Sequence, residues 1–434
     1  MTRPLQPSLR PLLQPTSVAV IGATERPDAS SSFVMRNLIN HGFRGAIFPV
    51  HPRAGQVYGY QAVASISQLE SVPDVAVICI AAQHVAGALA EAGAHGVPAA
   101  IVLSSGFAET GPAGAARQAE LVQVANEYGM ALCGPNCLGI VGMHEEAVLY
   151  SSRFPHGLPK GRFALISQSG ASAIALSGSG RIGFSYIISA GNSAVTGAAD
   201  YLDFLAGDAG SDVIGLVLEN IRQPEKLAAA AEKARAAGKQ VIALYFGRSA
   251  QGAAATAAHT GALGGSYKAF QAFCRQHGIS AVASMDEMLE YAALFSAIRR
   301  APQPAGVALV GVSGGGVAHV ADFAAEAGLV LPKLAPATVA GLREILPGYV
   351  TPQNPLDVTG LPFADGSVYT RVLELLAADP AVGLIGALQD VPAGLDDGGA
   401  AEYLPIAAGI AGFVAANATP VVVLSNLADR HHPH

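Results

Sequence analysis

The sequence has no tryptophan and only four cysteines in 434 residues, and charged residues make up just 13% of it. Each scarcity excludes something. Cys79, Cys133, Cys137 and Cys274 form no C-x-x-C pair and no metal-ligand spacing. That excludes a disulfide framework and a zinc knuckle; the thiols read as small buried residues of a reducing cytoplasm, and no metal site is expected. The formal net charge is −7 and no run of lysine or arginine could track phosphates, so nucleic acid is not an expected partner. No stretch reaches about 18 uninterrupted apolar residues, and runs such as 75–82 have the length of strands, so no membrane span is expected. Pro4, Pro7 and Pro11 stand where a secretion signal needs an apolar core, and a cytoplasmic location follows as the expectation.

What is abundant is small and apolar. Hydrophobic residues reach 51% and glycines number 50, the profile of compact α/β domains. Strand-like runs at 18–21, 46–50, 75–80, 99–103 and 130–133 alternate with helical patterns at 32–41 and 83–93. Such alternation predicts a parallel sheet covered on both faces. A second series runs through 163–167, 213–218 and 241–246 and closes with a helix at 284–291. After the Pro302–Gly306 linker, runs at 307–312, 383–388 and 420–424 predict a third sheet. The expected fold class is therefore α/β: three consecutive doubly wound, Rossmann-like or flavodoxin-like parallel-sheet domains at 1–150, 151–300 and 306–434. The third is expected to be incomplete, because the strand at 421–424 has no covering helix after it. The closing His431, His432 and His434 read as a solvated end.

Several strand ends carry polar or glycine-bearing turns. Val18–Ile21 leads into Gly22-Ala23-Thr24, at the sheet edge where nucleotides bind and helix N-termini attract phosphate. The full G-x-G-x-x-G fingerprint is absent, which disfavours a nicotinamide-dependent dehydrogenase. His51-Pro52-Arg53, Ser104-Ser105-Gly106 and Gly134-Pro135-Asn136-Cys137 close further strands, and together they predict a ligand crevice on one edge. Ser167-Gln168-Ser169-Gly170-Ala171 ends a strand and opens an Ala-rich helix; it reads equally as an anion site or as a plain serine cap. G-x-S-x-G is not matched there, so a hydrolase elbow is discounted. Glu219 ends the strand 213–218, and a carboxylate so placed can fix the tautomer of a nearby histidine. Asn354-Pro355-Leu356-Asp357 reads as a structural turn.

The stretch 254–265, Ala-Ala-Thr-Ala-Ala-His-Thr-Gly-Ala-Leu-Gly-Gly, sets His259 among residues with almost no side-chain bulk. Small neighbours let other groups approach an imidazole, and a neutral imidazole is a competent nucleophile that can carry a covalent group. A flexible Ala/Gly-rich loop presenting that histidine is the expectation.

Taken in order, Ile21-Gly22-Ala23, Gly134-Pro135-Asn136-Cys137, Ser167-Gln168-Ser169-Gly170 and His259-Thr260-Gly261-Ala262-Leu263-Gly264-Gly265 resemble the nucleoside-diphosphate-forming acyl-CoA synthetases. That family includes the ADP-forming acetate–CoA ligases and is related to succinyl-CoA synthetase. The resemblance implies a CoA-binding domain, a phosphohistidine domain and a ligase-CoA domain. It implies that His259 is transiently phosphorylated, that Glu219 orients it, and that Ser169, Gly170 and Ala171 cradle phosphate. CoA is then expected across the first sheet edge, at Gly22, Ala23, Thr24, Pro52, Arg53, Ala81, Ala82, Ser104, Ser105 and Asn136. The implied reaction joins a carboxylic acid and CoA at the expense of ATP, through an acyl phosphate and a phosphohistidine. The family's ATP-grasp module, with its ATP or ADP and Mg2+, has no counterpart in this chain and is expected elsewhere, on a partner subunit or further along a longer enzyme. An oligomer is expected. The alternative is a non-catalytic CoA- or acyl-CoA-sensing module, as in acetyltransferases that carry a degenerate copy of this fold; the intact histidine motif favours the enzyme.

Overall fold

A computed structural model describes residues 7–53, 55–260, 266–298 and 301–427, with backbone alone for 256–260. The chain divides into two compact units, Met1–Arg299 and Arg300–His434. The α/β expectation is met in both.

The first unit holds two large sheets. Strands β1 (Ser17–Ile21), β2 (Ala46–Val50), β3 (Val75–Ile78), β4 (Ala99–Val102) and β5 (Ala131–Cys133) form the first, in the order β2-β1-β3-β4-β5. All its pairings are parallel, with Val18 opposite Ile47 and Val75. Continuous apolar runs suit strands whose two faces are both covered, and Val18, Ala19 and Val20 are fully buried. The order reverses between β1 and β3, so the turns after those two strands flank a topological switch point, where ligands bind in such sheets.

The second sheet comprises β6 (Gly139–Gly142), β7 (Ala147–Tyr150), β8 (Lys160–Ser167), β9 (Phe184–Ser189), β10 (Val213–Leu218), β11 (Gln240–Tyr245) and β12 (Ser280–Val282). Its order is β12-β11-β10-β8-β9-β6-β7. Strands β8 to β12 pair in parallel, while β6 runs antiparallel to β9 and to β7. Residues 139–150, grouped by sequence with the first sheet, thus form the antiparallel edge of the second. Its switch point lies between β8 and β10, beside Gln168 and Glu219. One core joins the two sheets: Val20, Ile101 and Cys133 share a buried cluster with Ile166, Ile188 and Leu216. Each large apolar side chain so buried contributes about 1.5–3 kcal/mol.

The second unit is a parallel four-stranded sheet, β14-β13-β15-β16, built from β13 (Val307–Gly311), β14 (Leu356–Asp357), β15 (Leu384–Leu388) and β16 (Val421–Leu424). Asn354 is structural, as expected. Its Oδ1 accepts from Leu309 N at 2.9 Å and its Nδ2 donates to Val307 O and Pro332 O at 2.8 and 3.1 Å. Asp397–Ala416, 20 residues, is long and apolar enough to cross a membrane by length and composition. In the fold its Ile406 and Phe413 are fully buried in the core beside Tyr369 and Ile385.

Candidate functional site

The first switch point is shaped by a missing side chain. Gly22 has φ +85°, and a Cβ there would lie 2.7 Å from Ile80 Cγ2 and 2.9 Å from Cys79 O. Only glycine fits that approach without strain. The N–H groups of Gly22 and Ala23 both donate to Val50 O, at 2.9 and 3.3 Å, so the turn offers room rather than free donors. Gly22, Thr24, Arg26, Ser30, Cys79 and Ser104 line a cavity of about 120 Å³. The helix Ser30–Asn40 begins beside it with no side-chain cap. A helix start of this kind leaves backbone donors open to an anion.

The predicted CoA residues divide into groups. Gly22, Thr24 and Ser104 share that cavity, while Ser105 and Asn136 line the larger crevice described below. Ala23 is fully buried beneath the turn, so its side chain faces no ligand. Ala81 and Ala82 open the uncapped helix Ala82–Ala94. Pro52 and Arg53 sit on an exposed turn outside both cavities.

The second switch point is stitched by one amide. Gln168 Oε1 accepts from the N–H of Glu219 at 2.6 Å and of Asn220 at 3.1 Å, and its Nε2 donates to Asn220 O at 3.3 Å. Next to it, Ser169 caps the helix Gly170–Ser177, its Oγ accepting from Ser172 N at 3.4 Å and Ser172 Oγ at 3.0 Å. The Gly170 and Ala171 N–H groups have no acceptor among the described residues. Capping and anion cradling are therefore compatible: serine satisfies one amide and leaves the preceding two for an anion.

The second switch point opens into a crevice of about 510 Å³, walled by Ser105 and Asn136 from the turns after β4 and β5 of the first sheet and by Ser169, Gly170, Ala171 and Glu219 from the second. Glu109, Asn192 and Arg222 also line it. The sequence reading missed these three. The Gly191-Asn192-Ser193 turn threads under Gly134-Pro135-Asn136: Asn192 N donates to Pro135 O at 2.9 Å and Ala194 N to Gly134 O at 3.0 Å. A Cβ on Gly191, at φ +54°, would lie 2.4 Å from Asn136 O. Asn192 Nδ2 donates to Glu109 Oε2 at 2.7 Å and to Gln118 Oε1 at 2.9 Å, tying the two sheets together across the crevice. Glu109 Oε1 in turn accepts from Gly106 N at 2.6 Å and Phe107 N at 3.0 Å. Burial alone would raise the Glu109 pKa, but the hydrogen bonds from Asn192, Phe107 and Gly106 outweigh it and hold the carboxyl below its ordinary value. The signal for this turn was available: like the other site turns, Ala190–Ser193 follows a buried strand with glycine and a short polar residue.

His259 falls inside a helix, Ala250–Thr260, rather than on a bent loop. Five alanines within 253–258 explain the difference, since alanine has the highest helix propensity. The backbone of that helix comes within 8 Å, Cα to Cα, of the Ala108–Thr110 turn at the crevice. Residues 261–265 of the histidine motif lie outside the described residues. Among the described residues no cluster of three metal-ligating side chains occurs.

Comparison with known proteins places this geometry. Residues 16–143 match the model of a CoA binding domain and residues 160–295 that of the succinyl-CoA ligase like flavodoxin domain. The alpha subunit of acetate–CoA ligase (ADP-forming) II from Pyrococcus furiosus is 35% identical over 383 residues, which are 87% of this chain and 81% of that one. The chain belongs to the ADP-forming acetate–CoA ligase family. Acetate–CoA ligase (ADP-forming) I of Archaeoglobus fulgidus is also 35% identical, over 86% of this chain but 54% of that protein, so the chain spans about half the length of such a relative. Among solved structures, the dinucleotide-forming acetyl-coenzyme A synthetase 1 of Ca. Korarchaeum cryptofilum, in complex with phosphate and ADP, superposes with a TM-score of 0.86 at 30% identity. That match covers 96% of this chain and 89% of the other. These relatives of the family are named as ligases or synthetases, and none lends support to the sensing-module alternative.

Proposed function

We propose that this chain carries the CoA-side half of an ADP-forming acid–CoA ligase. The observation that carries the reading is the single crevice in which Glu219, the Ser169–Ala171 helix start and the CoA-side residues Ser105 and Asn136 converge. In the direction of acyl-CoA breakdown, a phosphate oxygen attacks the thioester carbonyl, the C–S bond breaks and CoA thiolate leaves. An imidazole nitrogen of His259 then attacks phosphorus, and the P–O bond to the acyl oxygen breaks, releasing the carboxylate. The Gly170 and Ala171 N–H groups stabilise phosphoryl charge at a helix N-terminus, and Glu219 holds the imidazole tautomer and balances its charge.

Gly22 supplies the close backbone approach for CoA, with Thr24, Ser104, Ser105 and Asn136 around it. Ala23, Ala81 and Ala82 shape the edge through backbone, and Pro52 and Arg53 lie toward its outer rim. In this reading residues 1–150 form the CoA-binding domain, except that the hairpin at 139–150 belongs to the neighbouring sheet, 151–300 the phosphohistidine domain and 306–434 the ligase-CoA domain. Phosphoryl exchange with ATP or ADP, together with Mg2+, belongs to an ATP-grasp module outside this sequence, supplied by a partner subunit or a longer chain, in an oligomeric cytoplasmic enzyme.

Intact-protein mass spectrometry at neutral pH, with acyl-CoA, phosphate and magnesium, tests the proposal. An acid-labile phosphoryl adduct on the parent and not on His259→Ala is the expected result. Absence of the adduct in the parent, both alone and with an ATP-grasp partner supplied, would overturn it.

A further inference from the structure

The turn that carries Glu109 has a neighbour on each side. Ala108–Thr110 lies against the backbone of the helix Ala250–Thr260, which bears His259, with Cα atoms within 8 Å. Asn192, in the turn after β9, reaches it from the second sheet: its Nδ2 donates to Glu109 Oε2 at 2.7 Å and to Gln118 Oε1 at 2.9 Å. The Asn192 Oδ1 accepts from Asn136 Nδ2 at 3.4 Å. One side-chain amide thus spends both its donors and an acceptor on residues 56 to 83 positions away in the chain. Asn192 lines the crevice, yet it has no donor left to offer a ligand there. Glu109 divides its carboxylate in the same manner, with Oε1 accepting from its own turn at Gly106 N and Phe107 N and Oε2 turned to Asn192.

We propose that Asn192 is a positioning residue for the phosphorylation step: by holding Glu109 it fixes the Ala108–Thr110 turn as the seat of the His259 helix. The proposal rests on the CoA-ligase reading above. From 250 to 258 the helix carries no side chain larger than Gln251. It therefore brings little apolar area of its own to bury, and its position depends on the surface it rests against. Attack of an imidazole on phosphorus is sensitive to that position, since a misplacement of about 1 Å costs a reaction about a hundredfold. An ionised acceptor at 109 makes the hydrogen bond from Asn192 a charge-assisted one, stronger and shorter than a neutral pair. The bonds from Glu109 to Gly106 and Phe107 are local and do not need Asn192. Loss of the link is thus felt at the histidine helix and not at the Ser104-Ser105 turn of the CoA side.

A polarity swap tests the link. Asn192→Asp keeps the volume and the acceptor toward Asn136, but it removes both donors and faces Glu109 with a second carboxylate. Adding Glu109→Gln restores one bond in reverse: the amide introduced at 109 donates to the carboxylate introduced at 192, and its oxygen still accepts from Gly106 and Phe107. With saturating acyl-CoA and phosphate, Asn192→Asp should form the acid-labile adduct more slowly by about tenfold or more. The double variant should recover to within about threefold of the parent, as coupled neighbours do. Free CoA, titrated calorimetrically, should bind all three proteins alike, which also shows that they are folded. Hydrogen exchange of residues 250–260 reads the seat without turnover: protection should fall in Asn192→Asp and return in the double variant. Equal rates and equal protection in the three proteins, or a double variant as slow as the single one with CoA binding intact, would reduce Asn192 to a structural link. Protection that follows the swap in a parent that forms no adduct, even with an ATP-grasp partner, would sink the ligase reading and leave the seat standing.

Discussion

Gln168 holds Glu219 through the backbone: the Gln168 side-chain oxygen accepts the Glu219 N–H at 2.6 Å and the neighbouring Asn220 N–H at 3.1 Å. Neighbouring strands β8 and β10 end at this amide, and it fixes where the second strand releases its carboxylate. Gln168→Ala would leave two half-buried N–H groups unpaired, at about 1–3 kcal/mol each before water compensates. The expected outcome is a lower unfolding midpoint together with a fall of about tenfold or more in the rate of phosphohistidine formation. CoA affinity should not change, because the first sheet is untouched. A variant that loses stability but keeps the phosphorylation rate would reduce Gln168 to a purely structural role.

Glu219→Gln separates charge from shape in the same way. The glutamine keeps the volume and can still hydrogen-bond, but it cannot balance an imidazolium or enforce its tautomer. Phosphoenzyme yield should drop while thermal stability and CoA binding stay near the parent values. Rapid-quench measurement of the acid-labile adduct gives the answer, and an unchanged rate would remove Glu219 from the mechanism.

Much of this site was legible because its turns follow buried strands, and a buried parallel strand announces itself by an apolar run. Gly22, Ser104, Asn136, Ser169 and Glu219 were all reached that way. What escaped were relationships that strand patterns do not encode. Asn192 occupies a similar turn, but its importance lies in a contact with Glu109, 83 residues earlier in the chain, which no local pattern reveals. The hairpin at 139–150 is as apolar as its neighbours, and nothing in its sequence says which sheet it joins. His259 looked loop-borne because glycines follow it, yet the alanines before it determine the local state.

The Glu109–Asn192 link carries a pH dependence. The folded-state pKa of Glu109 lies below its ordinary value, because hydrogen bonds from Asn192, Phe107 and Gly106 outweigh the burial that would raise it. A depressed carboxyl pKa means stability that is present above the unfolded-state pKa and is lost as pH falls through the folded one. Glu109→Gln should therefore be less stable than the parent at neutral pH, with the gap closing as the solution is acidified below the ordinary carboxylate range. Thermal melts across that range provide the check; a gap that stays constant with pH would show that charge at Glu109 contributes nothing.

The thiols should be quiet. Burial pushes Cys79 and Cys274 up to about 12, and Cys133 and Cys137 are buried with their sulfurs 4.0 Å apart as free thiols. Thiolate is the reactive form, so a raised pKa and burial both suppress attack. The native protein is expected to resist a thiol-specific reagent at neutral pH over a time in which free cysteine reacts fully, and to release four thiols after denaturation. Cys79 is half-buried and lines the cavity at the first switch point, so rapid native-state labelling there would show that its thiol is reached from that cavity and is not held protonated.

Arg222 is the cation of the crevice: among its described lining residues it faces two carboxylates, Glu109 and Glu219, and no other lysine or arginine. It is solvent-exposed, and among the described residues its Nη1 donates a single long hydrogen bond, 3.4 Å to Ser193 O. A guanidinium held so loosely adds little to folding and is available to a phosphate or an acyl phosphate, for which its planar donors are well matched. Arg222→Gln should leave the unfolding free energy within about 0.5 kcal/mol of the parent, as surface substitutions do. It should also raise the phosphate concentration needed for half-maximal adduct formation by about tenfold or more, the scale of one lost charge-assisted contact. Arg222→Lys keeps the charge without the fork and should fall between the two. If phosphate dependence is the same in all three proteins, the anion is held by the Gly170–Ser177 helix start without help from this side chain.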